Sequence, residues 1–272
     1  MIRGTTTRIG VALVSLVSGM TVMSFLWTPY DPLSIDSENS LAPVSLSHPL
    51  GTDLLGRDVL SNLIVGARST LLVAVLAVAI AMIIGVTAGI VAALIGRRTR
   101  AALIFLIDIV LALPGVLVAI VLAAVYGPST VTATIAIGIA LSAAVAQVTR
   151  RAAMSVLAQD FVTAAFASGS SKHRMVIKHL LPNLRANLLV QASGAAAIAI
   201  LAESTLSYLG LGTVPPTPSW GRMLAESQQF LILDPLVALW PGLFIALTVL
   251  GFNLLGDGLR DSFDHSMDVE QT

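Results

Sequence analysis

Long, nearly uninterrupted apolar runs separated by short polar segments organise this chain. Six runs stand out, at residues 9–27, 69–96, 101–126, 131–148, 188–211 and 236–255, together about half of the 272 residues. A transmembrane helix needs roughly 17–25 predominantly apolar residues, so each run predicts one span. The longest stretches left over are 28–68 and 149–187, of 41 and 39 residues. Segments of about 40 residues rarely fold alone without staples, so no separate catalytic domain fits between the spans. Whatever chemistry drives the protein is supplied elsewhere.

Composition sharpens the picture. Apolar residues make up 56% of the chain, charged residues 11%, and mean hydropathy is +0.90. Soluble domains carry about 25% charged residues; this chain lacks the polar surface to face water all round and is expected to be an all-α integral membrane protein in contact with lipid. The 15 basic residues are balanced by 15 acidic ones, which argues against a nucleic-acid partner. There is no cysteine, hence no disulfide, thiolate metal site or cysteine nucleophile.

Charge asymmetry orients the spans. With a cytoplasmic N-terminus, the inside segments hold Arg3, Arg8, Arg97, Arg98, Arg100, Arg150, Arg151, Lys172, Arg174, Lys178, Arg185 and Arg260, leaving only Arg57, Arg68 and Arg222 outside. Six spans return the C-terminus to the cytoplasm. Trp27, Trp220 and Trp240 fall at or near the outer interface, where amphipathic rings prefer to sit. The first run follows Arg3 and Arg8 as a signal peptide would. Its length, its end at Trp27 and the lack of an A-x-A site favour a retained span.

Two loops carry pattern. In the first outer loop, from His48 to Ser61, Gly51 and Gly56 allow turns, and Thr52 or Asp53 is placed to cap a short helix leading into the second span. Its acidic residues, Asp31, Asp36, Glu38, Asp53 and Asp58, offer a second reading, a docking surface for an external partner. In the 149–187 loop, Ala164, Ala165, Phe166 and Ala167 favour helix, Gly169 with Ser170 and Ser171 breaks it, and 175–181 resumes a helical pattern until Pro182. Phe161, Val162 and Phe166 are apolar on a segment that should be in water, the signature of a helix received by a partner groove.

This loop resembles the cytoplasmic EAA loop of binding-protein-dependent ABC importer permeases: E-A-A, three residues, G, nine residues, I, one residue, L-P. Here Thr163-Ala164-Ala165 is followed at that spacing by Gly169, His179 and Leu181-Pro182, with Thr163 in place of the family's Glu and His179 in place of its Ile. Further strings are similar to the dipeptide/oligopeptide branch: 48–61, Ile107-Asp108 with Leu113-Pro114-Gly115, Leu201-Ala202-Glu203 through Gly212, 215–221, and 252–261. The resemblance implies a type I importer permease fold with a cytoplasmic coupling helix. It implies an N-terminal span and outer loop (1–47), a permease domain (48–260, coupling loop about 161–183) and a cytoplasmic tail (261–272). It also implies a bacterial inner-membrane location, a second homologous permease, two cytoplasmic ATPases that bind the ATP and Mg, an extracytoplasmic substrate-binding protein, and a peptide substrate. On this reading Phe161, Thr163, Ala164, Ala165, Phe166, Gly169, His179, Leu181 and Pro182 form the ATPase-coupling loop.

Two carboxylates remain inside predicted spans, Asp108 and Glu203. A central carboxylate costs about 2.5–3.5 kcal/mol on insertion scales, so each should face protein, water or a partner charge. With no Lys, Arg or His in the apolar cores to complete a proton relay, a hydrogen-bonded contact between helices or between two permease subunits is the favoured reading; a transient contact with a peptide ammonium stands beside it. His48, His173, His179 and His265 are scattered, and the six-residue spacing of His173 and His179 is not that of helical metal ligands. Neither G-x-x-x-x-G-K-[ST] nor G-x-S-x-G occurs, so the chain is expected to hold no ATP, metal or other cofactor and not to be an enzyme. The rival readings are a self-contained secondary transporter, which needs broken-helix ion sites and internal repeats, and an intramembrane protease, which needs a nucleophile or paired aspartates.

Overall fold

The computed structural model describes residues 5–269. Arg3, among the inside basic residues above, and the last three residues of the expected tail lie outside the described residues. All regular structure among the described residues is helical, apart from one isolated bridge between Thr52 and Asp58. The spanning helices are α1 (Thr5–Leu26), α2 (Val59–Leu94), the pair α3 (Arg97–Ala112) and α4 (Gly115–Tyr126), α5 (Thr130–Leu157), α8 (Leu181–Tyr208) and α10 (Leu236–Val269). Between them, α6 (Asp160–Ala167) and α7 (Lys172–Met175) sit in the α5–α8 loop, and α9 (Trp220–Ser227) in the α8–α10 loop.

The run expected at 101–126 is not one straight helix. It breaks between α3 and α4 with a bend of 84°. Pro114 is the cause: it has no amide hydrogen to continue the ladder and disfavours helical torsions at the residue before it. Leu113 is accordingly extended, at φ −79° and ψ 126°.

Packing tells whether this bent pair crosses the membrane. α2 and α5 pack through glycines: a Cβ on Gly85 would lie 2.6 Å from the Ser142 carbonyl oxygen, one on Gly89 2.6 Å from that of Ala146, and one on Gly138 2.7 Å from Ile80 Cβ. Small residues that let backbones approach are the common device of helix association in membranes. Along these contacts the numbers rise together, 80 against 138, 85 against 142, 89 against 146, so α2 and α5 run parallel. Two parallel helices joined by α3 and α4 require that pair to return to the other side. The pair is then one broken span, and the described residues hold six. α1 and α10 run antiparallel, Thr7 against Gly258 and Gly10 against Leu255, and Ser193 of α8 donates to the Phe252 carbonyl of α10 at 2.6 Å.

The outer loop is folded rather than a lead-in helix. α2 begins at Val59, ten residues before the apolar run, and is capped by Asp58, not by Thr52 or Asp53. The Asp58 carboxylate accepts from the Ser61 amide at 2.8 Å and hydroxyl at 2.7 Å, and lies 3.0 Å from His48 Nδ1. Thr52 donates its hydroxyl to the Asn39 carbonyl, and Asp53 closes a turn by accepting from the Leu55 and Arg57 amides, both at 2.9 Å. Gly51 and Gly56, with φ of 77° and 71°, occupy the left-handed region that L-residues resist.

Trp220, expected at or near the outer interface, is packed inside the protein. The ring is fully buried, donates Nε1–H to the Leu63 carbonyl at 3.0 Å, and stands 5.9 Å from the Phe244 ring. It joins the core cluster of Val59, Leu63, Ala67 and Leu206. Ser219 caps α9 by accepting from the Arg222 amide, and this holds Trp220 at the first turn, facing inward.

Candidate functional site

The α5–α8 loop is the helix–turn–helix expected. α6 ends in a Schellman closure: the Ser170 amide donates to the Ala165 carbonyl at 3.1 Å, with Gly169 between them at φ +81°. Such a closure places a left-handed residue just after the helix, and glycine takes it at no steric cost. A Cβ at Gly169 would meet nothing within 4 Å, so the demand for glycine is one of backbone alone. Ser171 then caps α7 by accepting from the Arg174 amide.

Pro182 does not end the second helix. The helix runs from Lys172 to Tyr208, and the proline is absorbed by a π-helical turn over Val176–Leu180 in which the Leu181 amide reaches the Val176 carbonyl. Widening one turn removes the clash and the missing donor that proline would impose on an α-helical ladder. The Asn183 side chain donates to the His179 carbonyl at 2.6 Å.

The loop is moored by apolar side chains. Val162, Met175, Leu180 and Leu184 are buried, the last two against Ile90, Ala93 and Ala153. Val162 was expected to be exposed beside Phe161; it is instead the inward residue of α6. Phe161 is 41% exposed, its ring 6.0 Å from that of His179. Ala164 and Pro182 are exposed, and Ala165, His179 and Leu181 half-buried. The side chains of Thr163, Phe166 and His265 lie outside the described residues. Arg100 donates to the Ala93 and Ile95 carbonyls and Lys172 to that of Leu94, placing cations at the carbonyl end of α2.

The two intramembrane carboxylates are far apart in character. Glu203 is fully buried; one oxygen accepts from Ser207 at 2.7 Å and Thr213 at 3.4 Å, while the other has no partner. Asp108 is exposed on α3 and accepts from the Gln147 amide of α5 at 2.8 Å; Gln147 in turn accepts from Arg151 at 3.5 Å. Gln147 is a partner that sequence pattern does not disclose. Neither carboxylate meets a second acid, and no group of metal-binding side chains occurs among the described residues.

At the end of the bundle that carries the 28–58 loop, four charges join that loop to α9. Arg57 meets Asp53 and Glu226, both at 2.6 Å, and Arg222 meets Glu226 at 2.7 Å. Burial alone would lower the Arg57 pKa; Asp53 and Glu226 outweigh it and hold it above its ordinary value.

Known proteins match this arrangement. Residues 85–269 match the family of binding-protein-dependent transport system inner membrane components. A di/tripeptide transport system permease protein of Pseudomonas aeruginosa is 42% identical, over 87% of this chain and 80% of its own length. A dipeptide transport system permease protein of Escherichia coli is 40% identical, over 94% and 87%. Among solved structures, an inward-facing methionine ABC transporter superposes with a TM-score of 0.61 at 15% identity, covering 72% of this chain and 94% of the other; at that identity the likeness is one of fold. With more than half its length inside the family match and relatives at this identity across nearly all of it, the chain belongs to the binding-protein-dependent transport system inner membrane components and is a multi-pass membrane protein.

Proposed function

We propose that this chain is one of two permease subunits of an ATP-driven ABC importer for di- or oligopeptides. Two cytoplasmic ATPases bind the ATP and Mg, and an extracytoplasmic protein delivers the peptide. The observation that carries the reading is the extent of the 42% identity to a di/tripeptide permease, which runs over 87% of the chain. Both termini, Arg97–Arg100 and the α6 loop face the cytoplasm. There α6, ended by Gly169, enters a groove on an ATPase and passes its movement to the spans through α7 and α8. Binding of ATP and of the loaded delivery protein shifts the population between inward- and outward-open states.

The test is reconstitution of the complex with its ATPases and binding protein in liposomes. Uptake of labelled Ala-Ala that requires ATP, and copurification of an ATPase with this chain, are expected. Uptake driven by an ion gradient without ATP would instead establish the secondary-transporter reading. In intact cells, a cysteine placed at Asp36 should react with a membrane-impermeant reagent added from outside.

A further inference from the structure

Resting on the peptide reading above, we infer that Asp108 is the subsite for the free amino terminus of the peptide, one helical turn beyond the inner end of an apolar cleft between α3, α4, α5 and α8. The cleft has a volume of about 350 Å³ and is lined by residues that include Leu111 of α3, Val116 of α4, Ala140 and Ala144 of α5, and Ile198 of α8. On α5, Ala140, Ala144, Gln147 and Arg151 follow one another at helical spacing and share one stripe. The apolar wall of the cleft therefore continues, one turn further in, into the Gln147 side chain that holds Asp108 at 2.8 Å. On α3, Asp108 stands one turn before Leu111, which lines the cleft, and one turn after Phe105, which is 65% exposed.

Gln147 occupies one oxygen of Asp108; the other has no hydrogen bond, and the carboxylate makes no ion pair among the described residues. An apolar helix or lipid laid over it would strip its water and offer nothing in return, which is costly for a charge. A wetted cleft avoids that cost, and a cation in the cleft gains from the remaining oxygen. A short peptide carries both features the cleft offers to meet: an ammonium, and beside it a small apolar side chain. A cleft of a few hundred cubic ångströms, mostly apolar with a few placed polar groups, is the usual form of a small-ligand site.

The experiment uses the whole reconstituted complex with cysteine-free partner subunits, since this chain has no cysteine of its own. Ala144→Cys, with Leu111→Cys as a second reporter, is treated with a charged, water-soluble methanethiosulfonate. Labelling is expected, slowed at least about threefold during ATP-driven turnover of Ala-Ala. In Asp108→Asn the protection is lost and KM for Ala-Ala uptake rises about tenfold, the loss of one charge-assisted contact, with kcat changed far less. Asp108→Glu, which keeps the charge, retains most of both. Reporters that stay unlabelled in every state, because a partner helix or lipid covers the cleft, overturn the inference. So does an Asp108→Asn complex with unchanged KM and protection while the unaltered complex imports Ala-Ala. A complex that imports no peptide at all would remove the peptide reading and this subsite together.

Discussion

The guanidinium of Arg57 and the carboxylate of Glu226 meet at 2.6 Å although 169 positions separate them in the chain. Glu226 also holds Arg222, so one carboxylate ties the outer loop to α9 and α9 to itself. Its side chain is 38% exposed, where ion pairs are worth about 0–1 kcal/mol each. Glu226→Ala is expected to lower stability by about 1 kcal/mol and Arg57→Ala by somewhat more, because Arg57 is more buried and loses Asp53 as well. Thermal unfolding of the purified complex at low and high salt checks this: the differences should shrink as salt rises.

Glu203 tests a buried site without a counter-charge. Glu203→Ala leaves the Ser207 and Thr213 hydroxyls without their acceptor and opens a void, an expected loss of about 2–4 kcal/mol. Glu203→Gln keeps the volume and an acceptor for Ser207 and Thr213, and its amide has the neighbouring Thr70 and Ser204 hydroxyls to donate to. Wild-type yield and melting temperature for the Gln variant, with a clear loss for Ala, is the expected pattern. A Gln variant as damaged as Ala would mean that the carboxylate itself is required.

Gly169 separates backbone strain from crowding. Because a Cβ there meets nothing, Gly169→Val costs through the left-handed torsion, about 1–2 kcal/mol, and Gly169→Asn costs less. Membrane insertion should be normal in both. In the reconstituted complex, peptide-stimulated ATP hydrolysis should fall for Val and largely survive for Asn. Equal coupling in Val and wild type would make Gly169 an ordinary loop residue.

The α2–α5 contact offers a matched pair. Gly89→Ala puts a methyl 2.6 Å from the Ala146 carbonyl oxygen, whereas Gly19→Ala on α1 meets nothing within 4 Å. The first should cost about 1–3 kcal/mol, whereas the second should be neutral or stabilising by up to about 1 kcal/mol, because alanine favours helix over glycine. Yield and melting temperature of the two variants side by side decide it.

The spans were legible because helices in lipid need apolar length, and the six runs supply it. Gly169 was legible for a similarly local reason: a glycine followed by Ser170 and Ser171 after an alanine-rich turn reads as a helix stop. Where polar residues depend on distant partners, local pattern misleads. The first turns of α2 contain Ser61, Asn62 and Arg68, which look like loop; Asp58 takes up Ser61, and Arg68 reaches Ser24 of α1. Nothing local to Trp220 shows that its N–H is donated to the Leu63 carbonyl. Gln147 gives no sign of its link to Asp108, because no rule relates positions on two different helices. Leu113-Pro114-Gly115 was visible as a string, yet its meaning, a turn of nearly a right angle inside a span, follows only from the torsions.

That turn bears on how the protein is made. α3 has 16 residues and α4 has 12, rising about 24 and 18 Å, and neither alone bridges a hydrocarbon core of about 30 Å. At the break the helical ladder is interrupted, so newly synthesised backbone carbonyls there would meet lipid tails unsatisfied. The other five spans can enter the bilayer on their own hydropathy as they leave the translocation channel. The third must wait at the channel wall, or with an insertion chaperone, until α5 has been synthesised and can receive α3. The bent segment therefore settles only with the span that follows it, out of step with the order in which the chain is made.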